Sequence, residues 1–534
     1  MLRRSGFRPK GGNIPLMDSH ESAPDELPKE GAASLPRAHQ WAQGLILAVL
    51  FAAPALLCAY YAPIVESDDW WHIRTGEWIL QNHAVPWTDP FSAFGAGKPW
   101  AAYSWLFDLL LTQLFQRLGL VGILTYTSGM IVAVTMVMHR LIRRLQEDFS
   151  LGVMLTFIAS FSLLRIDVAR PWMFTILFFA FEMDVLLQAR KTGKTRELLW
   201  LPIVFAFWAN FHIQFIDGLI VLTIALTEAV LAHWWTGLRR GIHAGWLFGV
   251  SIACVMATLV NPYGWTIYKS AYELASQPGV LYKVDEMMAM PFRGLPDWGV
   301  LFLTVAAAGV LARSRRFLFF ESVLFVFALV VSFRAERDLW VVVIAASAIL
   351  ASGLKGDDKN RFGLTLYAAP LVAVATGLIV LLGFRLTHRD NLHLQATLAG
   401  EAPVNAVEVA KERGLRGPLF NDYIWGGYLM WSLRMPVSID GRSALHGDSQ
   451  MERFDATWWA RPGWCSDPDL LRAHLVIGQV TAPLTQVLRM DPRFDLVYED
   501  KLAAVFVAHN PPSSGPAGPL PAERGACAPT TPRK

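Results

Sequence analysis

The sequence predicts a polytopic α-helical membrane protein, with about eleven membrane-spanning helices and one water-soluble α/β domain after the last of them. Of the 534 residues, 54% are hydrophobic and only 17% are charged. In soluble domains, about 45–50% of residues are apolar and about 25% are charged. The mean hydropathy is +0.35. Long apolar runs recur between residues 41 and 384, and both flanks are polar. We therefore expect a lipid-covered unit between two aqueous segments.

The two ends of the chain, residues 1–40 and 510–534, are rich in Pro, Gly, Ser and charged residues. Neither segment can bury enough apolar surface to fold, so both are predicted to be disordered tails, the first of them cytoplasmic. The first apolar run follows the polar tail and is longer than a signal-peptide core. It is therefore expected to be a retained helix.

Residues 41–384 are interpreted as the transmembrane domain, because apolar runs suited to crossing about 30 Å of hydrocarbon recur there. The predicted spans are 41–64, 120–139, 151–164, 171–189, 198–212, 215–233, 245–260, 298–312, 317–333, 338–354 and 363–384.

Basic residues orient these spans, because cytoplasmic loops carry the excess of Lys and Arg. They cluster in the gaps after every second span: Arg140, Arg143 and Arg144; Arg190, Lys191, Lys194 and Arg196; Arg239 and Arg240; Arg313, Arg315 and Arg316; Lys355, Lys359 and Arg361. The amino terminus is therefore predicted to be inside and the domain that follows the last span to be outside.

The first outer loop, residues 65–119, contains an apolar stretch at 101–118 that is interrupted by Asp108, Gln113 and Gln116. Counting this stretch as a span would reverse the orientation of every later loop. We interpret it as an interfacial or re-entrant helix.

After residue 385, short β-prone runs alternate with helical ones up to residue 509. This alternation predicts a small extracytoplasmic α/β domain with a mostly parallel sheet.

Composition and motifs exclude several functions. The net charge is only +3 and the basic residues are scattered, so no nucleic-acid partner is implied. The four cysteines are too dispersed to predict a disulfide or a zinc site. The sequence contains no phosphate-binding glycine loop, nucleophile elbow or HExxH helix, which argues against nucleotide-driven pumps and membrane proteases.

The first outer loop holds the densest group of polar residues in the membrane half. Asp68 and Asp69 lie at the expected lipid boundary, where a carboxylate can accept a proton from a hydroxyl or hold a divalent cation. The alternative is that both only cap the helix that begins near Trp70. Further candidate substrate-binding residues in this loop are Glu66, His72 and Asp89.

Arginines occur in two loops that are predicted to be outside, against the orientation bias. They are Arg165 and Arg170 in RIDVAR, and Arg334 and Arg337 in FRAERD. Paired guanidinium groups near the headgroup plane could clamp a phosphate in a bidentate manner. The alternative is salt bridging with the neighbouring acidic residues.

Two more segments supply candidate substrate-binding residues. Asn210 and His212 lie in a tight outer turn, where polar side chains also commonly satisfy freed backbone groups. Asp440 and Arg442 follow a predicted strand in IDGRSALHGD, where loops of α/β sheets bind ligands. A plain strand-to-helix turn is the alternative for these two residues.

The first outer loop, with DDWWHIRTGEWIL, PWTDPFSAFGAGKPW and SWLFDLLL, resembles that of bacterial polytopic glycosyltransferases of the GT-C type. These are relatives of the protein mannosyltransferases and the lipid A sugar transferases. The resemblance extends more loosely through Arg170-Pro171, WANFH, NPYGW, FNDYIWGGYL and SIDGR.

The resemblance implies an inner-membrane enzyme that transfers a sugar, with inversion, from a polyprenyl-phosphate donor on the outer leaflet to an acceptor hydroxyl on a glycan, lipid or protein. The acidic motif of that group matches Asp68 and Asp69, one of which would be the general base or a ligand to Mg²⁺ or Mn²⁺. Metal dependence varies within the group and is left open. The outer arginines would stabilise the released phosphate.

Two other functions remain open from sequence. A lipid or polysaccharide transporter would place ionisable residues near the bilayer midplane and often has two related halves. A non-catalytic scaffold would recruit cell-envelope enzymes through the outer domain.

Overall fold

The computed structural model describes residues 37–61, 66–95, 97–234, 241–276, 285–315, 317–357 and 369–509. Almost all of both predicted tails lies outside these residues, as do Arg239, Arg240, Arg316, Lys359 and Arg361. The described residues form a helical unit followed by a small α/β domain.

The helical unit extends from residue 37 to residue 386. Its helices are α1 (Arg37–Tyr61), α2 (Asp69–Asn82), α3 (Trp105–Leu118), α4 (Leu120–Leu145), α5 (Phe149–Leu163), α6 (Trp172–Thr192), α7 (Leu201–Phe211), α8 (Phe215–Trp234), α9 (Ala244–Thr258), α10 (Thr266–Ala275), α11 (Leu295–Arg313), α12 (Phe319–Arg334), α13 (Trp340–Gly353) and α14 (Ala369–Leu386). Short 3₁₀ helices lie at Arg196–Trp200, Asp285–Met287 and Glu336–Asp338.

A helix lies at each of the predicted spans, so the polytopic membrane fold is confirmed. Six helices in the described part of the chain are long and apolar enough to cross a membrane, namely α1, α4, α6, α8, α11 and α14. Helices α5 and α9 are apolar but shorter. The exact number of crossings and their direction stay predictions.

Helix α13 forms the centre of the helical unit. Its residues from Trp340 to Ala351 are all buried, and it packs against α4, α5, α11 and α12. The sequence WVVVIAASAILASG is apolar all round, as expected for a helix without a polar face.

The α/β domain contains α15 (Asn391–Leu398), α16 (Val404–Glu412), β1 (Leu419–Asn421), α17 (Gly426–Leu433), α18 (Ser443–Trp458), α19 (Pro468–Arg472), β2 (Leu475–Gln479), α20 (Pro483–Leu488), β3 (Phe494–Glu499) and β4 (Ala503–Ala508). The strand order is β1-β2-β4-β3. Only β1 and β2 pair in parallel, so the expected mostly parallel sheet is wrong. Cys465 is disulfide-bonded, which the dispersed cysteines of the sequence did not predict.

The predicted orientation can be tested by labelling single introduced cysteines. Asn82→Cys in the first outer loop and Met490→Cys in the α/β domain should react with a membrane-impermeant maleimide in intact spheroplasts, because both residues are exposed. Thr192→Cys, at the end of α6 next to a basic loop, should react only after permeabilisation. The unsubstituted protein measures labelling of the native cysteines. Labelling of positions 82 and 490 from opposite sides would mean that the stretch at 101–118 crosses the membrane.

Candidate functional site

The start of α2 gives Asp68 and Asp69 different environments. The Asp68 side chain makes no capping hydrogen bond to the helix. The Asp69 carboxylate turns back instead, and its Oδ2 accepts a hydrogen bond of 2.8 Å from the Glu66 backbone N–H. Asp69 is fully buried. The helix-capping alternative therefore does not account for Asp68, whereas Asp69 stabilises the turn that precedes α2.

Asp68 forms an ion pair with Arg170, which lies just before α6. Arg170 Nη2 also lies 3.7 Å from Glu66 Oε2 and 3.6 Å from Glu286 Oε2. Asp68 and Arg170 are each only 8% exposed. Burial raises the pKa of the Asp68 carboxyl, and the Arg170 guanidinium opposes that rise. The first outer loop and the RIDVAR loop thus meet at a buried ion pair.

A cavity of about 610 Å³ opens beside this pair. It is lined by the first outer loop and α2, the start of α6, the segment after α7, helix α10, the 3₁₀ helices at Asp285–Met287 and Glu336–Asp338, and the residues around the start of α18. Its charged and imidazole lining consists of Asp68, His72, Asp108, Arg170, His212, Lys269, Glu273, Glu286, Arg337 and Arg442.

His72 is oriented by α3. Its Nδ1 lies 2.5 Å from Asp108 Oδ1, and its ring stacks on Trp71 at 3.6 Å between centroids. Burial lowers the pKa of His72 well below its usual value. The close approach of α2 to α3 depends on Gly76, where a Cβ atom would collide with Thr112 and with the Asp108 carbonyl. His72 therefore lines the cavity as a fixed side chain.

Asn210 and His212 take different roles at the end of α7. The ring of His212 lines the cavity, and its Nδ1 lies 2.9 Å from Thr175 Oγ1. Asn210 Oδ1 accepts a hydrogen bond from Trp105 Nε1, and Asn210 Nδ2 donates to the Val260 carbonyl. Asn210 thus connects α3, α7 and the end of α9, and it is not among the residues that line the cavity.

One arginine from each of the two predicted loops reaches the cavity, namely Arg170 and Arg337. Arg165 pairs instead with Glu336 and with Asp297, and its Nη2 is 3.0 Å from Glu336 Oε2. Arg334 is exposed. Neither Arg165 nor Arg334 lines the cavity. For Arg165, the structure shows the salt bridging that was the alternative to a phosphate clamp.

Asp440, Arg442 and Asp89 form one buried network. Arg442 Nη2 lies 2.7 Å from Asp440 Oδ2, and Arg442 Nη1 lies 2.6 Å from Asp89 Oδ1. Burial acts to raise the pKa of Asp440, but Arg442 and His446 hold it well below its usual range. The Arg442 guanidinium also lies 4.7 Å from the centroid of Trp100. The network joins the α/β domain to the first outer loop.

Sequence reasoning missed Lys269 and Glu286, which both line the cavity. Lys269 lies on α10, within TIYKSAYELA, which follows NPYGW. Like the outer arginines, Lys269 is a basic residue in a loop predicted to be outside, against the orientation bias. The sequence therefore contained a signal that could have identified it. Glu286, in the short 3₁₀ helix Asp285–Met287, has no comparable signal, because an acidic residue in an outer loop does not oppose the orientation bias.

The residues present do not fit a divalent cation. Among the described residues, no group of three or more His, Cys, Asp or Glu side chains is arranged to hold a metal ion. Asp68 is paired with Arg170, and Asp69 Oδ2 accepts from the Glu66 backbone. The Mg²⁺ or Mn²⁺ alternative stays a prediction, and no step proposed below passes through a metal.

Comparison with known proteins assigns no family to this chain. No family model matches it, and neither does any curated protein. Among solved structures, the chain is similar to the crystal structure of ArnT from Cupriavidus metallidurans bound to undecaprenyl phosphate. The identity is 14%, the match covers 88% of this chain and 98% of that chain, and the TM-score is 0.44. These values are too low to establish a shared family.

Proposed function

We propose that this protein is a membrane glycosyltransferase that moves a sugar from a polyprenyl-phosphate donor to an acceptor hydroxyl on the outer face of the membrane. The observation that carries the proposal is the cavity in which Asp68 lies beside Arg170, with Arg337 and Lys269 on its walls. Sugar transfer from a lipid phosphate needs a base for the hydroxyl and cations for the departing phosphate. The identity of the group as a sugar rests on the resemblance of the first outer loop.

The proposed reaction is a single displacement. The acceptor oxygen forms a bond to the anomeric carbon, and the bond from that carbon to the donor phosphate oxygen breaks. The electron pair leaves with the phosphate, and the hydroxyl proton passes to Asp68. One displacement inverts the configuration of the anomeric carbon. His72 and Asp108 form the wall of the cavity next to Asp68.

The donor phosphate is proposed to bind between Arg170 and Arg337. In the structure, Arg170 is surrounded by the carboxylates of Asp68, Glu66 and Glu286. A phosphate that enters the cavity competes with these carboxylates for the guanidinium. Donor binding would therefore loosen Asp68 from Arg170 and leave the carboxylate better able to accept a proton.

The geometry of α6 supports an outer location for the cavity. Trp172, the first residue of α6, lines the cavity, whereas the last turn carries Arg190 and Lys191 next to a basic loop. The 21 residues of α6 rise about 31 Å, which matches the hydrocarbon thickness. The disulfide bond at Cys465 also fits a domain in an oxidising compartment, such as the space outside a bacterial inner membrane.

One observation favours the transporter alternative. Glu182, near the middle of α6, is fully buried, and both its carboxylate oxygens lack a hydrogen-bond partner among the described residues. Ionisable residues at such a depth mark transport pathways in many membrane proteins. Glu182 is not among the residues that line the outer cavity. We therefore expect Glu182→Gln to keep the rate of sugar transfer, measured per folded protein, close to the wild-type rate. Loss of lipid movement between leaflets in that variant would support a transporter.

The direct test is to incubate the purified protein with radiolabelled undecaprenyl-phosphate sugars and membrane extract. We expect label to appear in a glycan, lipid or protein, with release of undecaprenyl phosphate. The Asp68→Asn, Asp69→Asn double variant is the control. Donor that stays intact with every sugar, together with movement of the intact lipid across reconstituted vesicles, would replace the transferase proposal with the transporter.

A further inference from the structure

We propose that Gly441 of the α/β domain is a positioning residue for Asp68, so that this domain forms part of the catalytic site. The inference rests on the proposed function, because it assigns a task to a residue next to the proposed base. It is carried by the approach of the loop 439–442 to the start of α2. This loop is called the positioning loop below.

The backbone at Gly441 lies directly against the Asp68 side chain. A Cβ atom at position 441 would collide with Asp68 Oδ1 and Cγ and would lie 3.0 Å from Oδ2. Gly441 is not among the residues with a positive φ angle. Glycine is therefore required here for lack of space rather than for backbone conformation. Any side chain at position 441 must displace either the loop or the carboxylate.

The positioning loop is itself held firmly. The Asp440 carboxylate accepts hydrogen bonds from the Arg442 backbone N–H at 2.9 Å and from Arg442 Nε at 2.8 Å. Arg442 also donates a hydrogen bond to Asp89 in the first outer loop. On the other side, Asn421 Nδ2 donates to the Ile439 carbonyl at 2.9 Å. Displacing the loop would break a buried charged network, so the Asp68 carboxylate is the group that must yield.

Further contacts hold the domain against the same part of the first outer loop. The Ala93 N–H donates to the Val437 carbonyl at 2.7 Å, and the Val437 N–H donates to the Phe91 carbonyl at 3.0 Å. At Gly427, a Cβ atom would lie 2.6 Å from the Ser67 carbonyl oxygen. Two glycines of the α/β domain, 427 and 441, thus permit close approach to neighbouring residues at the start of α2.

Asp68 is therefore held between Arg170 of the helical unit and Gly441 of the α/β domain. Displacement of a catalytic group by about 1 Å can cost about 100-fold in rate. The positioning loop fixes the direction of the proposed base.

A double-mutant cycle in melting temperature tests the contact without any assay of activity. Gly441→Ala should lower the melting temperature, and adding Asp68→Ala should recover part of that loss, because it removes the atoms that collide. The matched control is Gly478→Ala in β2, where a Cβ atom would collide with Trp458 instead. Asp68→Ala should not recover any of the melting temperature that Gly478→Ala loses. Equal effects of Asp68→Ala in both backgrounds would overturn the inference.

Sugar transfer by the same full-length variants tests the consequence. Gly441→Ala should lower turnover by about 100-fold with little change in the KM for the undecaprenyl-phosphate sugar, and it should shift the pH profile. Gly478→Ala should keep the wild-type pH profile and its turnover per folded protein. An active wild type with an equally active Gly441→Ala variant would overturn the inference alone. An inactive wild type would overturn the proposed function. The melting-temperature cycle would then still show whether position 441 contacts Asp68.

Discussion

Asp68→Asn is expected to lower the rate of sugar transfer by about 100-fold to 10,000-fold, because the amide cannot accept the proton of the acceptor hydroxyl. From its place in the first outer loop, Asp68 would be expected to be exposed and replaceable without consequence for folding. The structure shows that Asp68 is buried and paired with Arg170. The variant must therefore be checked for insertion and stability before its rate is interpreted.

The surroundings of Arg170 support a folded Asp68→Asn variant. Glu66 and Glu286 both lie within 4 Å of the guanidinium, so the charge of Arg170 keeps acidic neighbours when Asp68 becomes neutral. Donor binding should then change little. A fall in donor affinity that added Mn²⁺ or Mg²⁺ partly restores would favour the metal-ligand role instead.

Asp69→Asn is the paired control, since its amide oxygen can still accept from the Glu66 backbone N–H. Burial raises the pKa of Asp69 well above its usual value, which favours its neutral form. We expect a much smaller loss of rate than for Asp68→Asn. Near-normal sugar transfer by the double variant would contradict a catalytic role for either carboxylate.

The pH dependence follows from the same burial. A base acts in its ionised form, and burial raises the pKa of Asp68. The rate should therefore fall on acidification, with a midpoint above the ordinary aspartate value of about 3.9. A rate that stays constant as the pH is lowered to that value would show that a group other than Asp68 accepts the proton.

The membrane fold was largely predictable because lipid forces every backbone polar group to bond within its own segment. Apolar runs therefore marked the helices well. The sheet was less predictable. Strands β3 and β4 are joined by only three residues, 500–502, and Asp500 Oδ1 accepts hydrogen bonds from the backbone of Leu502 and Ala503. So short a connection permits only antiparallel pairing, and the Asp of this turn was the signal missed.

The candidate site was predictable as a set of loops but not as a set of contacts. Charge at the outer ends of helices pointed to Asp68, Arg170 and Arg337. Charge alone could not separate Arg170 from Arg165, because both lie in the same short loop and differ only in their distant partners. The pairing of Arg170 with Asp68 spans 102 residues, and that of Arg442 with Asp89 spans 353. Such contacts depend on how the helices and the α/β domain pack.

The arginines that reach the cavity provide the second large expected effect. Arg337→Lys should raise the KM for the polyprenyl-phosphate donor by about 10-fold to 100-fold, since lysine keeps the charge but loses the bidentate fork, and one charge-assisted bond contributes about 1.5–3 kcal/mol. Arg337 is the cleaner site for this test, because its ion-pair partner among the described residues is Asp338, at 3.8 Å. Arg170→Lys should reduce donor use as well and should also lower turnover, because Arg170 holds Asp68.

Arg165→Lys is the matched control for this clamp. Arg165 lies in the same loop as Arg170, but it pairs with Glu336 and Asp297 away from the cavity. We expect the KM of the Arg165→Lys variant for the donor to stay at the wild-type value. If the substitution has an effect, it should lower the stability of the protein. If Arg165→Lys weakened donor use as much as Arg337→Lys does, the donor phosphate would have to bind outside this cavity. If the Arg170 and Arg337 variants both kept full donor use, the two arginines would serve only as partners of the neighbouring carboxylates.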